Sequence, residues 1–177
     1  MQTYIEKKPL VNNPDFARQR ETAIGKIDYN DIDTPIVELI RNIAKLKFCF
    51  TLQCCFGHFV YDDQQNIHNI EPLKQIEGSC EIEYRIAYIA FCVDYNKAGI
   101  ELLAELEKIV NIDNDYIQFG CADWFWERQK NSYVLQVQPK RLKDQDKMIV
   151  DIQEAYHLEF VKRKFFSRLS LIIENLL

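Results

Sequence analysis

Glycine and proline are scarce in this 177-residue chain, five of each, which leaves little room for flexible linkers or low-complexity tracts. Long apolar runs are missing as well, and none approaches the roughly 18 residues of a membrane span. Residues 1–8 carry no apolar core of signal-peptide length, so a cytoplasmic chain is expected. In that compartment the six cysteines, at 49, 54, 55, 80, 92 and 121, are expected to stay reduced rather than form a disulfide framework. A surplus of base is missing too: 22 Lys and Arg stand against 27 Asp and Glu, for a net charge of −5 and a pI of about 5.3. That balance disfavours a broad phosphate-binding face and hence an RNA partner. The basic clusters Lys140-Arg141-Lys143 and Lys162-Arg163-Lys164, the latter extended by Arg168, lie among acids and read as solvated helix faces.

The usual catalytic signatures are also absent. There is no Walker-type loop, GxGxxG, GxSxG or HExxH. Cys54, Cys55, His58, His68 and Cys121 offer sulfur and nitrogen, but no CxxC, HxxxH or repeated spacing prearranges a tetrahedral site, so no metal is expected. Asp28, Asp31 and Asp33 form an acid-rich loop without the spacing of a calcium loop, and capping of the next helix accounts for Asp33.

What is present is a hydrophobic fraction of 47 % and an aromatic fraction of 12 %. Such a chain can bury roughly 70 % of its unfolded surface and fits one domain over 1–177 without a metal or disulfide staple. Residues 1–12 read as an extended arm. Asn13-Pro14-Asp15 opens a helix to about residue 27, and Thr34-Pro35 opens a second, with Ile36, Leu39, Ile40, Ile43 and Leu46 on one face. Residues 48–53 and 58–61 read as strands, and 81–93 as one long strand. Asn96 caps a helix over 97–110. Residues 115–120 and 133–138 read as strands on either side of a tryptophan-rich segment, and 145–177 as a long C-terminal helix that kinks or meets a second copy. The fold class expected is α/β (α+β), a mixed β-sheet with flanking helices.

Two segments concentrate chemistry. Thr51-Leu52-Gln53-Cys54-Cys55-Phe56-Gly57-His58 puts two thiols, a glycine and an imidazole at a strand end. Alternation gives only one of Cys54 and Cys55 to a pocket. A nucleophilic thiol needs a lowered pKa, which His58 is placed to supply. Gly57 reads either as a turn or as bare backbone for a ligand. The other segment, 120–128, holds both tryptophans. Alternation sets Trp124 and Trp126 on one face, for stacking on a planar ligand, with Asp123 for ribose hydroxyls and Arg128 for an anion or an indole face.

The runs DTPIVELIRNIAKLKFCF and TLQCCFGHFVY, followed by AYIAFCVDYNKAGIELLAELEKI, YIQFGCADWFW and SYVLQVQP, resemble the tRNA methyltransferase family that acts third in wybutosine synthesis. Thr51, Cys55 and Gly57 stand at that family's Thr, Cys and Gly. Cys54, Gln53 and Phe56 replace serines, Leu52 a threonine and His58 an arginine, while Gly120 falls at a second family glycine. The resemblance implies an α/β fold and S-adenosylmethionine-dependent methyl transfer to RNA. The expectation is therefore a small-ligand site for a nucleoside or S-adenosylmethionine between 53–58 and 120–128. Cys55 and His58 would be its catalytic pair, with Thr51, Cys54, Gly57, Gly120, Asp123, Trp124, Trp126 and Arg128 binding the ligand. The alternatives are a non-catalytic interaction domain that oligomerises through the C-terminal helix, and a zinc or redox protein.

Overall fold

The structure, a computed structural model, describes residues 6–61, 63–66, 69–75, 78, 80–142 and 146–177. Of the residues singled out above, His68, Lys143 and Gln145 lie outside these, as do residues 1–5 of the arm.

The helices begin where short polar side chains can take up free amide hydrogens. Asn13 Oδ1 accepts from the Asp15 amide at 3.3 Å, and α1 (Phe16–Ile24) follows. A 3-10 turn at Thr34–Ile36, with Pro35 fixing φ, feeds α2 (Val37–Lys45). Arg20 of α1 closes the far end of α2 by donating to the carbonyls of Ala44 at 2.6 Å and Leu46 at 2.9 Å. Asn96 caps α3 (Lys97–Ile109) through the Gly99 amide at 2.9 Å. Asp151 caps the 23-residue α5 (Ile152–Glu174) through the Glu154 amide at 2.8 Å.

The strands form two antiparallel sheets. In the first, β1 (Cys49–Cys55), β4 (Ala87–Val93), β6 (Ser132–Val137) and β5 (Ile117–Gly120) lie in the order β1-β4-β6-β5. In the second, β3 (Glu81–Arg85) is central between β2 (His58–Val60) and β7 (Lys147–Asp151). One apolar core runs through both. Tyr84 and Val150 of the second sheet, Phe91 and Leu135 of the first, Ile43 of α2, Leu106 of α3 and Phe165 of α5 belong to the same buried cluster. The α+β class, sheets with flanking helices and a long C-terminal helix, is what the structure shows. No helix of the described residues is long and apolar enough to cross a membrane.

The chain passes between the sheets by short crossings at Phe56-Gly57 and at Ile86, and again between β6 and β7. The second crossing corrects the single long strand read over 81–93. The Ile86 amide leaves the ladder and donates to the Asp146 carbonyl at 3.2 Å. The buried Tyr84 hydroxyl then accepts from the Ala87 amide and donates to the Val137 carbonyl, each at 3.1 Å. A buried phenol thus satisfies the backbone where the ladder breaks.

Two further boundaries differ from the sequence reading. The helix read over 145–177 starts only at Ile152, because Met148 and Val150 are buried while Lys147, Ile149 and Asp151 are exposed, a strand alternation that pairs with β3. The tryptophan-rich segment is not extended but a short helix, α4 (Asp123–Arg128).

Candidate functional site

The first crossing builds the site. Gly57 has φ +73°, and a methyl group there would lie 2.6 Å from the Ala87 nitrogen. Its bare backbone is spent on the other crossing, so the expectation that a ligand approaches it is corrected. The turn is held at both ends by charge. The Phe56 amide donates to Asp33 Oδ2 at 2.6 Å, so Asp33 clamps this turn and makes no capping bond to its own helix. On the other side Lys162 Nζ donates to the Gly57 carbonyl at 3.0 Å, pairs with Glu159 at 2.7 Å and lies 4.4 Å from the centre of the Phe56 ring. Lys162 is 2 % exposed, which corrects its reading as a solvated basic residue. Burial holds its ammonium below the ordinary lysine range, with Glu159 pulling the other way. Phe56 completes the anchorage by stacking on Phe166 of α5 with centroids 5.1 Å apart.

Beside this turn opens a cavity of about 810 Å³. Residues 30–35 form one wall, and Cys54, Cys55, His58, Arg85, Asn69 and Ile70 the rest. It offers two carboxylates, Asp31 and Asp33, an imidazole and a guanidinium. The latter is steadied by Glu83 at 3.1 Å. Both thiols line it, not one as strict alternation predicts, because Cys55 is the last residue of β1 and the pleat ends there.

Neither thiol is activated. Burial first, then the Asp33 carboxylate and the adjacent thiol, push Cys54 up to about 12. Burial pushes Cys55 up to about 11, with the Gly57 amide pulling it down and Asp33 pushing it up. A nucleophile needs the opposite shift, so the role expected of Cys55 as a thiolate is corrected to that of a wall residue. Among the described residues no group of three or more His, Cys, Asp or Glu is arranged to hold a metal ion.

A second cavity of about 480 Å³ adjoins the first and shares Ile32 and Cys54 with it. Ala23, Ile27, Ile40, Leu52 and Tyr88 make it mostly apolar, with Lys26, Asp28, Thr51 and Gln53 the remaining polar residues. The Thr51 hydroxyl is buried and has no hydrogen-bond partner among the described residues. The Tyr88 hydroxyl reaches Gln53 at 3.4 Å, and burial pushes its phenol up to about 12.

No residue of 120–128 lines either cavity, which corrects the single site expected between the two segments. The β5 strand that leads into α4 lies at the opposite edge of its sheet from β1. The aromatic side chains are occupied elsewhere. Trp124 stacks on Phe125 at 3.6 Å, Arg128 lies 5.8 Å over it, and it packs on the Ala90–Val134 patch that Leu52 and Tyr88 also flank. Trp126 meets the edge of Tyr133 at 5.8 Å and carries Lys8 at 5.4 Å. Asp123 is paired with Lys8 at 2.8 Å, and Gly120 ends β5 opposite Val134. The N-terminal arm therefore covers part of the segment expected to form a ligand wall. Of the expected residues, the structure gathers Cys54, Cys55 and His58 in the first cavity and Thr51 in the second, with Gly57 behind them.

Sequence reasoning missed Arg85, Lys162 and the clamping role of Asp33. The signal for Asp33 was the acid-rich loop. For Arg85 and Lys162, separated from Gly57 by strand and helix, sequence position carried none.

No protein-family model matches the chain, and no curated protein does. Two solved structures share the fold, both of the PH1069 protein from Pyrococcus horikoshii, one of them from OT3. They superpose with TM-scores of 0.55 and 0.56 at 13 % and 14 % identity, covering 92 % and 93 % of this chain and 96 % of theirs. At that identity the likeness establishes a shared chain fold over nearly the whole length and nothing about chemistry.

Proposed function

We propose that this chain binds a nucleoside-type small molecule, with S-adenosylmethionine the leading candidate, in the cavity between residues 30–35 and Cys54–His58, and that it serves methyl transfer to RNA. The observation that carries the reading is the cavity itself. It sits where two sheets join, its volume is within the range of small-molecule sites, and its walls offer convergent polar groups of both signs. The residues fit the candidate. Asp31 and Asp33 are suited to ribose hydroxyls and to the cationic end of such a molecule, Arg85 to its carboxylate, and the buried Thr51 hydroxyl in the adjoining space lacks a partner that a ligand can provide.

When bound, S-adenosylmethionine supplies an electrophilic methyl group. The chain's own residues then orient, exclude water and handle the acceptor's proton. His58 is the proton carrier that the cavity contains, since both thiols stay protonated at neutral pH. Calorimetric titration with S-adenosylhomocysteine tests the reading. Saturable binding that weakens in His58→Gln and Arg85→Met supports it, and no heat at millimolar ligand contradicts it.

A second reading, self-association through α5, is favoured by one feature. Phe160 and Leu171 are exposed large apolar residues on the solvent face of α5, beside a groove with Ile112, Arg163, Lys164 and Arg168. Light scattering on the wild type and on Leu171→Glu separates a dimer from a monomer.

A further inference from the structure

The two cavities are more informative together than apart. They share Ile32 and Cys54 in their linings, so they are neighbouring lobes with that pair between them. The lobes differ in chemistry. The first is edged by Asp31, Asp33, His58 and Arg85, and the second by Ile27, Ile40, Leu52 and the ring of Tyr88. A ligand that fills both must therefore have a polar, charged part and a flat, weakly polar part, joined by a short connection.

We infer that the second lobe is the seat for the heteroaromatic ring of the ligand, with the ring against Tyr88 and Leu52 and one ring nitrogen on the Thr51 hydroxyl. This rests on the nucleoside-type reading above and adds the orientation: ring in the second lobe, sugar and charged chain in the first. Three observations carry it. The apolar lobe, about 480 Å³, has room for a heteroaromatic base. Its aromatic residue, Tyr88, provides a face for stacking. Its buried hydroxyl, Thr51 Oγ1, has neither donor nor acceptor opposite it among the described residues, and buried hydroxyls without partners are rare. A ring nitrogen or an exocyclic amine supplies that partner. The same orientation leaves Asp33 and Asp31 facing the hydroxyl-bearing part, where carboxylates accept hydrogen bonds.

Two variants isolate the claim. Thr51→Val keeps the shape and removes the hydroxyl; since that hydroxyl makes no hydrogen bond among the described residues, the variant is expected to melt at or above the wild-type temperature. Tyr88→Leu keeps an apolar wall and removes the ring. Titrations with S-adenosylhomocysteine and adenosine are expected to show affinity lower by about tenfold in each variant, the equivalent of one lost hydrogen bond or stacking contact. Methionine, which lacks the ring, is expected to be affected by neither. If S-adenosylhomocysteine binds wild type and both variants equally, the ring lies elsewhere and this assignment is overturned while the nucleoside reading stands. If the wild type binds no S-adenosylhomocysteine or adenosine, the nucleoside reading fails and the assignment falls with it.

Discussion

The ammonium of Lys162 lies 3.0 Å from the carbonyl oxygen of Gly57, a residue 105 positions away in the chain. One residue earlier in the same turn, the amide of Phe56 is held by Asp33 at 2.6 Å. A cation on the carbonyl side and an anion on the amide side both stabilise the dipoles of this short turn. The wall of the cavity is thus fixed by residues from the loop before α2 and from the C-terminal helix.

Removing the cation is expected to be costly. Lys162→Met leaves Glu159 with Arg163, at 2.9 Å, and takes the ammonium donor from the Gly57 carbonyl. Leaving a buried acceptor without its donor, with Glu159 still paired to Arg163, destabilises by about 2 kcal/mol. Urea unfolding should show a lower midpoint with an unchanged slope. A midpoint equal to that of the wild type would mean the contact contributes nothing.

Gly57→Ala tests the touching crossings. The new methyl group would meet the Ala87 nitrogen at 2.6 Å, in a backbone conformation with φ +73° that side chains rarely adopt. The expected loss is about 2 kcal/mol or more. A thermal melt within a degree or so of wild type contradicts the packing described.

The thiols are expected to be sluggish. With Cys55 near 11 and Cys54 near 12, about one molecule in a thousand or fewer carries a thiolate at pH 8. Native-state alkylation by iodoacetamide should be slow at pH 8 and should accelerate above pH 10. Asp33→Asn removes a carboxylate that raises both, so it should speed alkylation at fixed pH. Rates equal to those of free cysteine in the folded protein would contradict the burial.

The same shifts set a pH dependence of stability. Both thiols titrate higher in the fold than their ordinary value of 9.0. They are neutral in the native chain where the unfolded chain has begun to ionise, so the unfolded state binds fewer protons there. Their contribution is full below pH 9 and is lost as pH rises through about 11 and 12. Midpoints of urea unfolding measured from pH 8 to 11 should fall, and fall less in Cys54→Ala/Cys55→Ala.

The Trp126 ring lies under Lys8 and lines neither cavity. Trp126→Phe should leave affinity for S-adenosylhomocysteine within about twofold, since distant sites act independently. A loss of tenfold or more would return the tryptophan segment to the site.

Much of this architecture was legible from local pattern. Asn96 is followed by an amphipathic run and caps it, and Thr34-Pro35 opens the second helix through a 3-10 turn. The errors fall where tertiary contacts override pattern. Alternation over 81–93 is real, but nothing local says that Ile86 leaves one sheet for another; the reason is a bond to Asp146, sixty residues on. Lys147–Asp151 alternates over too few residues to stand out from the apolar helix that follows. Lys162 sits in a Lys-Arg-Lys run that looks solvated, and only packing against Phe56 and Gly57 sets it apart from Arg163 and Lys164. At the site, the strand-end thiols and His58 were found because they are neighbours in sequence. The wall opposite them was missed, and an aromatic segment was put in its place, because aromatic rings cover sheets as readily as they bind ligands.

The most direct measurement is a crystal structure of the protein soaked with S-adenosylhomocysteine. Density is expected to run from Asp33 and Arg85, past Ile32 and Cys54, with its flat end between Thr51 and Tyr88. Density at α4, or a clear map without ligand in this cleft at saturating concentration, would contradict it.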